Sequence, residues 1–398
     1  MNKFSENADL QQSRFCPRAW TLAAIIFISR LGAMVKLFMA IYLKVTLGLS
    51  IEVIGLLLSG YGAGLVAGSY VAGIASDRWP AKGLTQLLML SGGLLLLALP
   101  QLDSATVLAA VLVVSGVFDG GIRTLHQRLI LDYCPAEGRD HAQAINRVGI
   151  NLGMACAGVL GGLVSDWDMR ALFYISAGLL MIAAAAFAFA SRDWALVLAH
   201  ADDDATSAVQ ASPYKDRRYL GFLLGCTLVG LAYEPIYSTL GNYLVEYYRL
   251  SPGAIGWQFA LNGLMVVALQ IPITYWTSSW GVRNQLLAGS VLLGIGLVLI
   301  PFGAGVVYLS VCTALWTLGE LLFMPAMGIH VMHQAKGSKS GHYFGLYAMF
   351  WSLGTLLSPV LASQIYSRLG GDYLWMICCA MTLAAAVMIM LAVQPRTP

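Results

Sequence analysis

This chain has little charge: across 398 residues only 11% are Asp, Glu, Lys or Arg, while 58% are hydrophobic. Soluble chains carry about 25% charged residues, so water is not the solvent for most of this surface. Metal-ligating and redox patterns are missing too. The seven cysteines (Cys16, Cys134, Cys156, Cys226, Cys312, Cys378, Cys379) form no CxxC pair, and most sit inside apolar runs. They read as small packing residues, neither disulfides nor metal ligands. His330 and His333 share a helical face, yet no carboxylate or thiol stands near them in sequence, so an interfacial position is expected rather than a metal site. No nucleophile, base and acid set appears, which argues against an enzyme, and nothing calls for a cofactor. The net charge of +3 is spread over loops and implies no nucleic-acid partner. No run alternates as an outer-membrane barrel strand would.

What the chain has instead is long apolar runs, and in lipid such runs must be helices because every backbone polar group has to be satisfied internally. Spans are expected at 20–43, 52–75, 83–101, 105–131, 144–165, 171–190, 218–243, 253–275, 285–303, 306–330, 343–365 and 372–393. The fold class expected is therefore all-α, with twelve transmembrane helices. Lys and Arg gather before the first span (Lys3, Arg14, Arg18) and in alternate loops (Arg78, Lys82, Arg139, Arg192, Lys215, Arg217, Arg218, Arg283, Lys336, Lys339, Arg396), whereas the other loops carry only Arg170, Arg249 and Arg368. The positive-inside rule then puts both termini in the cytoplasm. The polar N-terminus lacks an apolar leader with a cleavage site, so the first span is expected to be retained.

The second half repeats the first. Gly55 and Gly62 fall opposite Gly256 and Gly263, and Tyr42-Leu43 opposite Tyr243-Leu244, at one offset (256−55, 263−62 and 243−42 all give 201). The organisation expected is a bundle over 1–190, a flexible cytoplasmic linker over 191–217 with Asp202 to Asp204 and Ser207, and a second bundle over 218–398.

The loop after the second span reads Gly73-Ile74-Ala75-Ser76-Asp77-Arg78-Trp79-Pro80-Ala81-Lys82. It resembles the signature loop of the major facilitator superfamily: Gly73, Asp77, Arg78 and Lys82 match, and Pro80 replaces the usual second glycine. The resemblance implies the major facilitator fold, two pseudo-symmetric six-helix bundles. It also implies a conformational latch in which Arg78 meets a carboxylate at the inner end of the fourth span, here Asp132. The repeat offset carries Asp77 onto Ser278, so the charged latch survives in one half only. A glycine ladder in the fifth span, Gly149, Gly153, Gly158, Gly161 and Gly162, partly resembles the antiporter motif of drug-exporting members; Ala157 and Gly158 depart from it, and Pro359 stands at the symmetric position in the eleventh span. Small residues there would let helices pack closely and pivot.

Charges at mid-membrane depth bear most directly on mechanism, since each costs about 3 kcal/mol to insert. Arg30, Asp119, Arg123, Glu234 and Glu320 are deep. Facing lipid they would together cost roughly 15 kcal/mol, more than a typical domain's stability. They must face a wet cavity or each other. Asp119 and Arg123 are four apart and share a helical face, so a structural ion pair is one reading. Glu234, before the helix-bending Pro235, and Glu320 are expected to exchange protons, with Asp119 a third candidate; the bland alternative is that each carboxylate bonds a neighbour or balances Arg30. Arg30 and Arg123 supply donors for an anionic group. Phe38, Tyr233, Tyr237, Trp316 and Trp351 are candidates for lining the substrate cavity, with simple packing the alternative.

The expected protein is a secondary transporter that exports small organic molecules by proton antiport and alternating access, most like the twelve-span drug:proton antiporters. It would work as a monomer in the inner membrane with a small molecule and protons as partners. A proton-coupled importer of an organic anion or metabolite is the first alternative. A non-transporting membrane sensor or assembly partner is the second.

Overall fold

A computed structural model describes residues 16–102, 104–135, 138–197, 213–334 and 340–394. Lys3, Arg14, Asp202 to Asp204, Ser207, Lys336, Lys339 and Arg396 lie outside the described residues, as does most of the expected linker. Among the described residues all regular structure is helical, and twelve helices are long and apolar enough to cross a membrane. They are Pro17–Thr46, Ile51–Arg78, Ala81–Gln101, Ala105–Tyr133, His141–Trp167, Ala171–Ala190, Arg217–Ser238, Pro252–Trp276, Ser278–Phe302, Gly305–Gln334, Gly345–Leu369 and Gly371–Ala392. Each overlaps its expected span with ends shifted by a few residues, as frayed and capped termini make usual.

Two spans are broken, at matching places. The first runs as an α-helix over Pro17–Leu31 and restarts over Met34–Ile41, where Gly32 and Ala33 turn the chain. The seventh stops at Tyr233, makes one turn over Pro235–Ser238 and continues as Leu240–Glu246. Pro235 accounts for the second break, because its ring removes a donor and crowds the preceding turn. At the first break the chain passes close to the sixth span: a Cβ on Gly32 would stand 3.1 Å from the Ser176 carbonyl oxygen. Adding the repeat offset to Gly32 gives position 233, so the breaks correspond. Interrupted helices at matching positions of two repeats mark substrate sites in secondary carriers.

The chain forms two compact units, residues 1–38 with 60–201 and residues 39–59 with 202–398. Stretch 39–59 belongs with the second unit because it is pinned there. The Lys44 ammonium lies 2.9 Å from Glu246, and the Tyr366 hydroxyl donates to the same carboxylate oxygen at 2.8 Å. Burial by itself would raise the Glu246 carboxyl, but the hydrogen bonds from Lys44 and Tyr366 and the ammonium's charge hold it below the usual carboxylate value. The Val360 amide, just past Pro359, donates to the Ser59 hydroxyl at 3.2 Å.

In the first unit the second and fourth spans meet backbone to backbone. A Cβ on Gly64 or Gly68 would come within 2.0 Å of the Val113 or Val117 carbonyl oxygen. One on Gly116 or Gly120 would meet those of Tyr61 and Leu65 at 2.1 and 2.0 Å. Small residues four apart on both helices permit this approach, which only dispersion and backbone polarity hold together in lipid. At one end of the unit an apolar cluster includes Cys16, Leu22, Leu125, Leu129, Tyr133 and Phe187. The cysteine expectation is corrected there: Cys16 and Cys134 form a disulfide with Cα atoms 5.6 Å apart, tying the start of the first span to the end of the fourth. The residues are 118 apart in sequence, so only folding makes them neighbours. The other five cysteines are free.

Candidate functional site

Asp119 is the hub of the first unit. One carboxylate oxygen takes the Arg30 guanidinium at 3.0 Å, and the other takes Nη2 of Arg123 at 3.0 Å, its Nε at 3.2 Å and the Tyr61 hydroxyl at 2.7 Å. The Arg123 contact follows from the i, i+4 spacing on one helix. Those from Arg30 and Tyr61 come from other spans, and the Tyr61 contact depends on the close packing of the second and fourth spans. Gly153 of the fifth span abuts Arg30: a Cβ there would stand 2.7 Å from the arginine Cβ. Side-chain exposure separates the cations, 7% for Arg30 against 41% for Arg123. Lys36 lies near enough to act on the Asp119 charge.

The second unit repeats this scaffold with different chemistry. Adding 201 to Tyr61 gives Asn262 and to Asp119 gives Glu320, and the contact is repeated: Asn262 Nδ2 donates to Glu320 Oε2 at 2.8 Å. The same amide reaches the Thr317 hydroxyl at 3.1 Å, and the Tyr233 hydroxyl bonds the Glu320 carboxyl. The cations are absent from the copy. Arg30, Lys36 and Arg123 map onto Leu231, Tyr237 and Met324. Glu320 therefore has neutral partners where Asp119 has two guanidinium groups.

Glu234 sits at the break of the seventh span, and its carboxylate accepts from the Thr355 hydroxyl at 2.8 Å. Arg30 is balanced by Asp119, a residue of its own unit. Tyr233 and Tyr237 are joined through their hydroxyls at 3.1 Å, and Tyr237 stacks on Phe259 with centroids 6.1 Å apart. Trp351 is half-buried, 3.7 Å from where a Cβ on Gly230 would stand. Two further aromatics expected at the cavity have side chains enclosed by protein. Phe38 is 0% exposed against Gly161, and Trp316 is 2% exposed, edge-on to Tyr233.

The latch residues are placed separately. Asp77 and Arg78 are exposed at the end of the second span, and nothing within 4 Å would meet a Cβ on Gly73. Asp132 takes Arg128, one turn back on its own helix, with Nε 2.9 Å from Oδ1; no ion pair joins Arg78 to Asp132 among the described residues. Lys82 donates to the carbonyls of Ser191 and Trp194, so it caps the C-terminal end of the sixth span, where a cation also suits the helix dipole. Of the glycine ladder, Gly149, Gly153 and Gly161 are notches against the first span, each leaving under 3.0 Å for a Cβ, while Gly158 and Gly162 are buried.

Sequence reasoning missed Tyr61, Asn262, Thr317 and Thr355. The repeat offset applied to Asp119 would have paired it with Glu320, and applied to Tyr61 would have found Asn262. No sequence signal marks the two threonines. Among the described residues no group of three or more His, Cys, Asp or Glu is placed to hold a metal ion.

The family model described as Major Facilitator Superfamily matches residues 22–233 and 222–398. The chain is 23% identical over 348 residues to the uncharacterized MFS-type transporter YqjV of Bacillus subtilis (strain 168), covering 86% of this chain and 85% of that protein. It is 23% identical over 340 residues to the uncharacterized MFS-type transporter YttB of the same organism, covering 83% of each. Among solved structures, the nucleoside transporter NupG superposes with a TM-score of 0.76 at 16% identity over 95% of this chain and 99% of that one. The peptide transporter POT in complex with sulfate does so with 0.77 at 18% over 95% and 94%. Such identities establish the shared fold alone. With both halves matched by the family model, this chain belongs to the Major Facilitator Superfamily and is a membrane transporter rather than an enzyme.

Proposed function

We propose that the protein exports a small organic solute by proton antiport, working as a monomer by alternating access in the inner membrane with both termini cytoplasmic. The observation that carries this is the unequal pair Asp119 and Glu320. Two carboxylates stand at repeat-related positions, each held by a donor two spans earlier in its own unit, yet only Asp119 is compensated by cations. A carboxylate clamped by two guanidinium groups would leave buried charges unpaired if it took a proton. Glu320 breaks no ion pair on protonation, because Asn262 and Tyr233 are neutral and either form of the acid suits their hydrogen-bonding groups. We assign the travelling proton to Glu320 and the counter-ion role to Asp119. Glu234, beside the break in the seventh span, senses helix bending through Thr355.

The latch belongs to the same cycle. Asp132 is held by Arg128 while Arg78 is exposed, which fits a state in which the latch is disengaged; in the other state Arg78 replaces Arg128. The test uses inverted membrane vesicles acidified inside and monitored by a pH-sensitive dye, with a panel of organic solutes added outside. Export by antiport predicts that a transported solute collapses the gradient in these vesicles, and that Glu320→Gln abolishes the response while Glu234→Gln weakens it. Full response from Glu320→Gln refutes the proton assignment. Response only in right-side-out vesicles reverses the direction to import.

A further inference from the structure

The first and fourth spans are tied together twice. Arg30 meets Asp119 at 3.0 Å and Cys16 is bonded to Cys134, so low numbers on one helix face high numbers on the other and the pair runs antiparallel. Fourteen residues separate the two ties on the first span (30 − 16) and fifteen on the fourth (134 − 119). At about 1.5 Å per residue these are about 21 and 22 Å, so both ties fit one register. The covalent tie at the end of the pair therefore fixes the register in which Arg30 reaches Asp119. The fold does not require it, because the repeat offset carries Cys16 and Cys134 onto Arg217 and Ala335, which cannot form such a link. Both cysteines are enclosed, 3% and 4% exposed. Trp194 and Val197, from the segment after the sixth span, pack against the apolar cluster that holds them. That segment is itself pinned. The Tyr133 hydroxyl donates to the Ala195 carbonyl at 2.7 Å, Lys82 donates to those of Ser191 and Trp194, and the Arg18 guanidinium lies 5.7 Å from the Tyr133 ring centroid and 5.5 Å from that of Trp194.

We infer that Cys16 and Cys134 form a redox-operated clamp on the Arg30 and Asp119 contact, opened by cytosolic thiols and closed by peroxide, with residues 191–197 as the lid over it. This rests on the cytoplasmic placement of that end in the reading above. Thiol pools keep cysteines reduced in the cytosol, so a disulfide facing it is transient rather than permanent. Opening is thiol–disulfide exchange. The thiolate of one glutathione attacks a sulfur of the link and forms a mixed disulfide, while the other cysteine leaves as a thiolate and takes up a proton. A second glutathione resolves the mixed disulfide, giving two cysteine thiols and glutathione disulfide. In closing, hydrogen peroxide oxidises one cysteine thiol to a sulfenic acid with release of water; the second thiol condenses with it, forming the S–S bond and a second water. Both directions require the lid to lift. Closed, the clamp holds Arg30 on Asp119 through a covalent register; open, it leaves that task to the ion pair and to packing.

The test counts thiols and needs no transported solute, so its outcome is independent of proton coupling. Cells producing the full chain are quenched with acid before and after brief exposure to hydrogen peroxide, and the denatured protein is labelled with a maleimide mass tag. The expected count is seven thiols before and five after, with Cys16→Ser staying at six (7 − 1) in both conditions. The purified protein in lipid nanodiscs then reports on the brace. Reduction by glutathione should speed amide exchange at least about threefold over residues 17–25 and 126–133 and leave residues 281–298 unchanged. Lys82→Gln, with its lid loosened, should be reduced at least about threefold faster than wild type. The inference is overturned by five thiols in both conditions, by seven in both, by a fall in Cys16→Ser, or by exchange indifferent to reduction. An unchanged reduction rate in Lys82→Gln overturns the lid. The placement of this end is read separately with an impermeant maleimide and Trp79→Cys, at an exposed position on the loop that carries Lys82. It should label in inverted vesicles and stay unlabelled in intact cells. Labelling of intact cells refutes the cytoplasmic placement, whereas five thiols throughout without such labelling refutes the clamp alone.

Discussion

Placing a methyl group on Gly120 should be among the most damaging single changes in the first unit. That Cβ would lie 2.0 Å from the Leu65 carbonyl oxygen, 2.8 Å from its carbon and 3.0 Å from its Cα. All three are backbone atoms, so no side chain can swing aside and the second span itself must retreat. Restoring a 3.0 Å separation takes about 1 Å of movement (3.0 − 2.0). Tyr61 is one turn earlier on that span and donates to Asp119 at 2.7 Å. The same shift stretches the bond to about 3.7 Å, beyond hydrogen-bonding range. Overpacking costs about 1–3 kcal/mol, and a lost bond to a charged group about 1.5–3 kcal/mol more. Helix propensity opposes this, because Gly→Ala in a helix interior gains about 1 kcal/mol. Gly73→Ala isolates that gain, since nothing within 4 Å meets a Cβ at that position. Thermal unfolding of the two variants in detergent, side by side, measures the difference. Gly120→Ala should unfold well below Gly73→Ala; equal unfolding temperatures would refute the backbone-on-backbone packing.

The Lys44 and Glu246 pair should make the second unit acid-sensitive. The Glu246 carboxyl is held below its ordinary value, so its contribution is complete above about pH 4.3 and is lost as pH falls through the lowered value. At this exposure the pair is worth under about 1 kcal/mol; Glu246→Gln should flatten that part of the unfolding profile below pH 5, and an unchanged profile counts against the pair. Lys82→Gln should speed amide exchange over residues 191–197 by removing the cap on the sixth span, with exchange in the fourth span unaffected. Protein purified without reductant and then unfolded should alkylate at five of its seven cysteines, with peptides containing Cys16 and Cys134 joined. Seven reactive thiols would show the link does not form.

Local features of the site were readable in advance, and long-range ones were not. The Asp119 and Arg123 contact follows from i, i+4 spacing, and the break at Pro235 follows from the missing amide hydrogen. The Arg30 contact spans 89 residues, and before folding Glu234 had as strong a claim on that arginine as Asp119 had. Aromatic type says nothing of exposure: Phe38 and Trp316 looked as suited to a cavity as Tyr237, but burial separates them. The latch shows a related limit. Gly73, Asp77 and Arg78 match a family pattern, whereas the partner of Asp132 in the structure is Arg128, one turn back on its own helix.

Hydropathy, the positive charge in alternate loops and the 201-residue repeat determined the class, the span count and the two-half organisation, because lipid admits only helices for such runs and duplication preserves spacing. Tertiary structure decided which deep charges compensate one another. Pairing energies depend on distances of a few ångströms between helices remote in sequence, and glycine notches such as Gly120 and Gly153 set those distances. Asp119 and Glu320, alike in the sequence as buried acids, thereby became a counter-ion and an uncompensated carboxyl.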